Sequence, residues 1–507
     1  MNNPAAAAAT DGSTERVETV KRSTNPTDWK RVLYIGLGLG LFALVHFSPA
    51  WPAAIDPKGA SFELTREGKA GIALFLLAAT WWVTEVVPIG ITAILIGVIQ
   101  ALFLIRDPRV AFTDYMDPSV WFIFGSLTIG MVFTKTGLTR RIAYRMLVLV
   151  GERTSMIYLG CYTLTLGLTL IMAHTAVAAT IYPLLLAIHG LYSDDDRPTR
   201  FGKGLFIGMA FVAGAGSIIT LLGAARGAVA VGFYKDIAGK SISFFELSYY
   251  MAPVGLVMLV LLWVYMMLWF RPERRNIPGL RSRAQRLYQE LGPITRNEII
   301  SLVLVLSAIL VLSLRSFVPA LKVLDKSAII LLPTCLFFIL RILSIKDLED
   351  TPWNIILLFG GAMSIGFCLW QTGAAKWLAV NWLTLFEKAP AFVFILGMSF
   401  FVLIMTNFIM NVAAIAISLP VALVIAPYLG VAGEVILYAS LVTAGMPFLL
   451  LVGAAPNAIA YGSGQFTTKE FFVAGVPASL LLMVVLGLFV AFVWPLMGMP
   501  VYLPKAG

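Results

Sequence analysis

Two stretches set polar side chains inside long apolar runs, in a pattern that could hold a charged solute. The first, Thr169 to Pro183, reads Thr-Leu-Ile-Met-Ala-His-Thr-Ala-Val-Ala-Ala-Thr-Ile-Tyr-Pro. The second lies 237 residues later, from Thr406 to Pro420, and reads Thr-Asn-Phe-Ile-Met-Asn-Val-Ala-Ala-Ile-Ala-Ile-Ser-Leu-Pro. In each, a polar spot (Ala173-His174-Thr175 or Met410-Asn411-Val412) interrupts the run, and a proline follows eight residues after its last member. A polar break in hydrocarbon survives only where protein or a watery cavity satisfies the freed main-chain groups. Two of them at matching places in two halves point to a midplane binding site between inverted repeats.

A second pair of interruptions follows, Gly223-Ala224-Ala225-Arg226-Gly227 and Gly453-Ala454-Ala455-Pro456-Asn457. Each frees N–H groups at the start of the next half-helix, an end that carries about half a positive charge. Four such ends meeting at the midplane would cradle an anion without any lysine. The carbonyls at the opposite ends suit a hard cation such as sodium. The same small residues also serve close helix packing. Arg226 stands inside the first break, where a mid-membrane arginine costs about 3 kcal/mol or more. It can grip a carboxylate bidentately, snorkel to an interface or pair with an acidic side chain elsewhere. His174 can act as a neutral donor, a cation or a proton carrier.

The elements that must position these residues are membrane helices. Of 507 residues, 59% are hydrophobic and only 13% charged, and the mean hydropathy is +0.88. A soluble chain carries about twice that charged fraction. Apolar runs long enough to span fall at 32–49, 70–87, 89–105, 118–136, 203–234, 250–271, 297–317, 327–344, 353–370, 433–464 and 471–495. Two more, 155–190 and 390–428, are too long for one crossing and carry the polar spots, so they are expected to be re-entrant helical hairpins. Residues 138–151 and 278–292 are basic and amphipathic, as helices lying along an interface are. The predicted fold class is therefore an all-α polytopic membrane protein with about 11 transmembrane helices and two hairpins.

Repeats organise the chain. Gly125, Gly130, Thr136 and Gly137 recur 236 residues on as Gly361, Gly366, Thr372 and Gly373, in step with the hairpin and break motifs. The expected layout is a disordered cytosolic tail at 1–30, a first helix and outer loop at 31–69, and a first inverted repeat at 70–271 with hairpin 155–190 and broken helix 203–234. A basic cytosolic linker at 272–296 leads to a second inverted repeat at 297–498 with hairpin 390–428 and broken helix 433–464. A tail at 499–507 ends the chain. The net charge of +10 reflects orientation in the membrane rather than nucleic-acid binding. Lys and Arg, including Arg140, Arg141 and Arg145, concentrate on the side that holds the N-terminus. The positive-inside rule puts that terminus in the cytosol and the C-terminus outside.

The chain resembles the divalent anion:sodium symporter family, solute carrier family thirteen, which includes bacterial dicarboxylate transporters and citrate and sulfate transporters. The residues that carry the resemblance are Trp81-Trp82-Val-Thr-Glu85-Val-Val-Pro88, Lys135-Thr-Gly-Leu-Thr-Arg-Arg-Ile-Ala143, Leu358-Phe-Gly-Gly361, Thr406-Asn-Phe-Ile-Met-Asn411 and Ala455-Pro-Asn-Ala-Ile-Ala-Tyr-Gly-Ser-Gly464. The resemblance implies a homodimer in a bacterial inner membrane, with a static scaffold and a transport domain that slides as an elevator. At the positions of the family's tips and breaks the expected substrate contacts are His174, Thr175, Ala224, Arg226, Asn411, Val412, Ala454 and Ala455, with His174 and Arg226 expected on their own chemistry rather than on the resemblance. No cofactor is expected; the sodium ions that the resemblance implies are expected at Thr169, Ala173, Gly223, Thr406, Asn411 and Gly453.

The departures from the family pattern matter as much. Its hairpin tips read Ser-Asn-Thr twice, and its breaks usually carry Gly-Ser/Thr-Pro-Pro-Asn or a close variant. Five of those hydroxyls are replaced here, at Ala173, Ala224, Met410, Val412 and Ala454, while Arg226 and His174 are gained. The expected function is secondary active transport of a small anion, coupled to sodium, to protons or to exchange. An intramembrane enzyme using His174 and Glu85 as acid and base, and an anion channel, are the alternatives.

Overall fold

The computed structural model describes residues 29–55, 61–84, 86–193, 197–315, 317–386, 390–408 and 411–503. Residues 1–28 of the expected tail, Glu85, Asp194 to Asp196 and Met410 lie outside the described residues. The chain opens with α1 (Trp29–His46), a short antiparallel pair β1 (Ala54–Ile55) and β2 (Ser61–Phe62), α2 (Arg66–Thr84), α3 (Ile89–Leu102) and α4 (Pro108–Thr113). There follow α5 (Pro118–Thr136), α6 (Leu138–Val150), α7 (Thr154–Thr169), α8 (His174–Tyr192), α9 (Arg200–Ser217), α10 (Ala225–Ala238) and α11 (Phe244–Trp269). Then come α12 (Leu280–Glu290), α13 (Arg296–Leu314), α14 (Lys326–Ile339), α15 (Ile345–Glu349), α16 (Trp353–Gln371) and α17 (Ala374–Phe386). The last are α18 (Ala391–Phe408), α19 (Asn411–Ile425), α20 (Gly433–Gly445), α21 (Ala455–Tyr461), α22 (Thr468–Leu488) and, after a π turn, α23 (Trp494–Leu496).

The boundaries have local causes. Asp107 and Asp117 cap α4 and α5 by accepting from Arg109 N and Ser119 N, each with proline in the first turn, where its missing N–H costs nothing. Gly137, at φ 84°, ends α5 in the left-handed conformation that glycine tolerates. Capping boxes at Ser243/Glu246, Thr295/Glu298 and Thr467/Glu470 start α11, α13 and α22. Among the described residues, seven helices are long and apolar enough to cross a membrane.

Hydrogen bonds fix which ends share a face. At the basic face, Thr154 Oγ1 at the start of α7 donates to Arg274 O, Tyr192 Oη at the end of α8 donates to Glu273, and Glu273 also accepts from Arg200 N at the start of α9. Thr199 N, just before α9, donates to Gln465 beyond α21. At the opposite face, Lys240 beyond α10 pairs with Glu434 at the start of α20, and Ala432 N donates to Val501 O. So α7–α8 opens on one face and the end of α19 reaches the other. The broken helices α9–α10 and α20–α21 run in opposite directions.

Two features differ from the sequence reading. Helix α17 occupies a stretch that no expected span or hairpin covers; it lies 236 residues after α6 and matches its length. The breaks fall at 218–224 and 446–454, so Ala225 to Gly227 and Ala455 to Asn457 form the first turns of α10 and α21 rather than the breaks themselves. Away from the breaks, a buried ion pair between Arg106 and Asp114 (2.6 Å), joined by Gln100 and Gln371, ties the α3–α4 connection to α16.

Candidate substrate-binding site

Helices α8, α10 and α19 begin at one cavity of about 1150 Å³, and the short α21 begins beside them. The first-turn N–H groups of a helix have no acceptor within the helix, and helix starts from both halves of the chain lie at this cavity, although His174 N at the start of α8 donates to Gly223 O. Much of its wall is apolar, with Ile123, Leu127, Met131, Leu221 and Phe359. Toward α6, α12 and α15 the lining turns charged, with Lys135, Arg140, Arg283 and Asp347.

All eight expected substrate residues, His174, Thr175, Ala224, Arg226, Asn411, Val412, Ala454 and Ala455, line this cavity. Of the six expected sodium residues, Ala173, Asn411 and Gly453 line it, whereas Thr169, Gly223 and Thr406 are buried and do not. Thr169 Oγ1 donates to Leu166 O (2.6 Å), and Thr406 Oγ1 donates to Ala444 O (3.1 Å). Both hydroxyl oxygens keep lone pairs. Gly223 O is engaged by His174, accepting from its main-chain N (2.9 Å) and from its ring Nδ1 (3.1 Å). That ring bond places the proton on Nδ1 and leaves Nε2 as the titratable nitrogen.

Arg226 is 1% exposed, and its Nη2 donates to Ser217 Oγ at 2.7 Å. Its Nε and Nη1 are buried without a partner. Ser217 ends α9, and its own hydroxyl donates to Gly214 O. A Cβ on Gly445, the last residue of α20, would lie 2.6 Å from Arg226 Nη2. The guanidinium therefore occupies the gap between the C-terminal ends of two half-helices.

Asn457 is also buried, but it stands behind the cavity wall, where Nδ2 donates to Pro447 O and Leu450 O. Its role here is to clamp the second break. Its partner in that clamp is Asn407, whose Oδ1 accepts from Leu449 N (2.8 Å) and Leu450 N (3.1 Å). The first break is held by Ser126 Oγ donating to Leu222 O and Thr220 Oγ1 donating to Leu170 O. Sequence reasoning missed Asn407, Ser126, Ser217 and Thr220. For Asn407 the available signal was its place beside Thr406 in a quoted motif. For the others it was a hydroxyl in an otherwise apolar run. His189 is structural, with Nε2 against Thr199 Oγ1.

Oppositely directed broken helices whose second halves, α10 and α21, begin at one partly cationic cavity define a helical membrane transporter. The chain belongs to the sodium:sulfate symporter family, whose transmembrane-region model matches residues 55–500. It is 27% identical to a sodium-dependent dicarboxylate transporter SdcS of Staphylococcus saprophyticus over 464 residues, covering 87% of this chain and 89% of that one. It is 27% identical to the Staphylococcus aureus SdcS over 487 residues, 91% of each chain. In fold it is similar to Neisseria gonorrhoeae MtrF, with TM-score 0.57, 13% identity and coverage of 91% and 93%. It is also similar to the Alcanivorax borkumensis YdaH transporter, with TM-score 0.52, 14% identity and coverage of 94% and 99%. The chain is thus an integral membrane protein of a family of secondary active anion transporters. The relatives are transporters rather than enzymes, which removes the His174 and Glu85 enzyme alternative.

Proposed function

We propose that the chain carries a small anion, a dicarboxylate, citrate or sulfate, across a bacterial inner membrane by sliding a transport domain past a scaffold. The observation that supports this best is the meeting of α8, α10 and α19 at one cavity beside an arginine that has no carboxylate partner. Each helix start favours negative charge, and the apolar wall keeps the local dielectric low, so the attraction is worth more than in water. In this reading the repeats are 70–271 and 297–498, joined by the linker 272–296. The transport domain holds α7 to α10 and α18 to α21, and two copies associate through their scaffolds. The positive-inside rule assigns the face of α6 and α12 to the cytosol, so the cavity is read as inward-facing. The C-terminus is read as outside. Thr406, Asn411 and Gly453 form the second-repeat place for a sodium ion, the ion on which the SdcS relatives depend.

Purified protein in proteoliposomes tests this with labelled succinate, citrate and sulfate. Saturable uptake of at least one anion, with counterflow, is expected. Flux that neither saturates nor shows counterflow means a channel, and no uptake of any of the three rejects the reading.

A further inference from the structure

The second hydrogen-bonded neighbourhood of the site is the guanidinium itself. Its Nη2 rests on Ser217, the last residue of α9, and against Gly445, the last residue of α20. Helix C-termini carry about half a negative charge each, so this gap is a place for a cation, and Arg226 fills it. Ser217 borders the first-repeat positions expected for sodium: a Cβ on Gly223 would lie 2.7 Å from Thr169 O and 2.8 Å from Ser217 Cα. None of the five ion pairs among the described residues involves Arg226, and two of its nitrogens are buried with no partner. The second repeat has nothing comparable, because 230 residues on stands Pro456.

We propose that Arg226 is a tethered cation that takes the place of one dissociable coupling ion and makes the carrier an anion exchanger. This rests on the transport reading above. A dissociable cation leaves with its anion, so the emptied carrier returns without extra charge. A guanidinium bonded to the chain cannot leave. With a dianion in the cavity and one cation at the second-repeat place the bound charges cancel; with both gone, the moving domain must carry the guanidinium's net charge across the membrane. That step is disfavoured by the same penalty that keeps lone arginines out of bilayers, on the order of a hundredfold in rate. Binding a new anion from the far side removes the penalty, and the carrier then completes its cycle by exchange. Sodium at the second-repeat place does not alter this, since the fixed charge remains whenever the anion has gone.

The test compares uptake of labelled succinate, with sulfate in parallel, into proteoliposomes of the full chain whose lumen holds either the same unlabelled anion or none, at clamped zero potential. Loaded vesicles should take up label at least about tenfold faster than empty ones. Equal rates in loaded and empty vesicles overturn the inference while leaving transport intact; no uptake in either rejects the transport reading itself. Arg226→Lys should keep the ratio, and Arg226→Gln should bring it toward one or abolish uptake. If Arg226→Gln transports with the wild-type ratio, or if Arg226→Lys is well folded yet inactive, a tethered charge is not the cause.

Discussion

Replacing Asn407 with alanine removes the acceptor that holds Leu449 N and Leu450 N in the second break. Asn407 is fully buried, so both donors lose their partner where no other side chain replaces it. An orphaned buried donor costs about 1–3 kcal/mol. Some relief comes from the adjacent cavity, so the pair together should cost about 2–5 kcal/mol. Unfolding entropy of about 2.1 cal/mol/K per residue over 507 residues amounts to about 1 kcal/mol/K. The melting temperature should therefore fall by about 2–5 °C. Dye or tryptophan fluorescence melts in detergent read a shift of this size. Ser418→Ala is the matched control, because that buried hydroxyl only bonds back along its own helix to Ala414 O; it should move the melt by about 1 °C or less. The break also shapes Gly453 and Ala454 at the cavity, so succinate uptake by Asn407→Ala should drop about tenfold or more for every 1.4 kcal/mol of misplacement. An Asn407→Ala protein that melts with the control and transports normally would refute the clamp.

Three other perturbations follow from the same geometry. Asp114→Asn leaves Arg106 charged and buried beside Gln100 and Gln371, and should cost about 3–5 kcal/mol; a melt unchanged from wild type contradicts this. Gly445→Ala drives a methyl to 2.3 Å from Ile218 Cγ2 and 2.6 Å from Arg226 Nη2. Overpacking of about 1–3 kcal/mol there should cut uptake about tenfold, whereas Gly40→Ala, with nothing within 4 Å, should be silent. At the charged end of the cavity, burial alone would raise the Asp347 carboxyl, but hydrogen bonds from Lys135 and Ser344 outweigh it and hold the group at about 2 instead of the ordinary 3.8. Because the folded value is depressed, the stabilisation is present above 3.8 and lost as pH falls toward 2. Asp347→Asn should therefore melt below wild type at pH 6, and the gap should close through that acid window; a gap independent of pH refutes it.

The apolar runs read from the sequence coincide with helices whose ends differ by a few residues, because run length encodes apolar helices directly; against about 11 expected crossings, seven helices among the described residues are long and apolar enough. The eight residues singled out as substrate contacts all line the cavity, since polar spots and small-residue breaks are rare inside such runs. Helix α17 was not legible by the same signal: it has one charge, Lys376, and no basic stripe, although the 236-residue offset from α6 pointed at it. The breaks were placed too late. Glycine marks only the end of each, whereas Ile218 to Leu222 is apolar and stays unwound through bonds from Ser126 and Thr220, which are tertiary contacts. Asn457 closes the second small-residue motif, where an amide suits either a ligand or a structural role; its two carbonyl acceptors assign it to the clamp. The family hydroxyls lost at Ala173, Ala224, Val412 and Ala454 line the cavity as methyls and aliphatics, so the guanidinium is the strongest fixed charge beside the helix starts.

In the proposed carrier, main-chain amides at the starts of α8, α10 and α19 supply much of the pull on an anion, and no codon change other than one to proline deletes an amide proton. Capture of negative charge is thereby insulated from mutational drift, while the side chains around it, Thr175, Val412 and Ala454 among them, are free to vary. A lineage built this way can change its cargo in single steps without passing through a form that binds nothing.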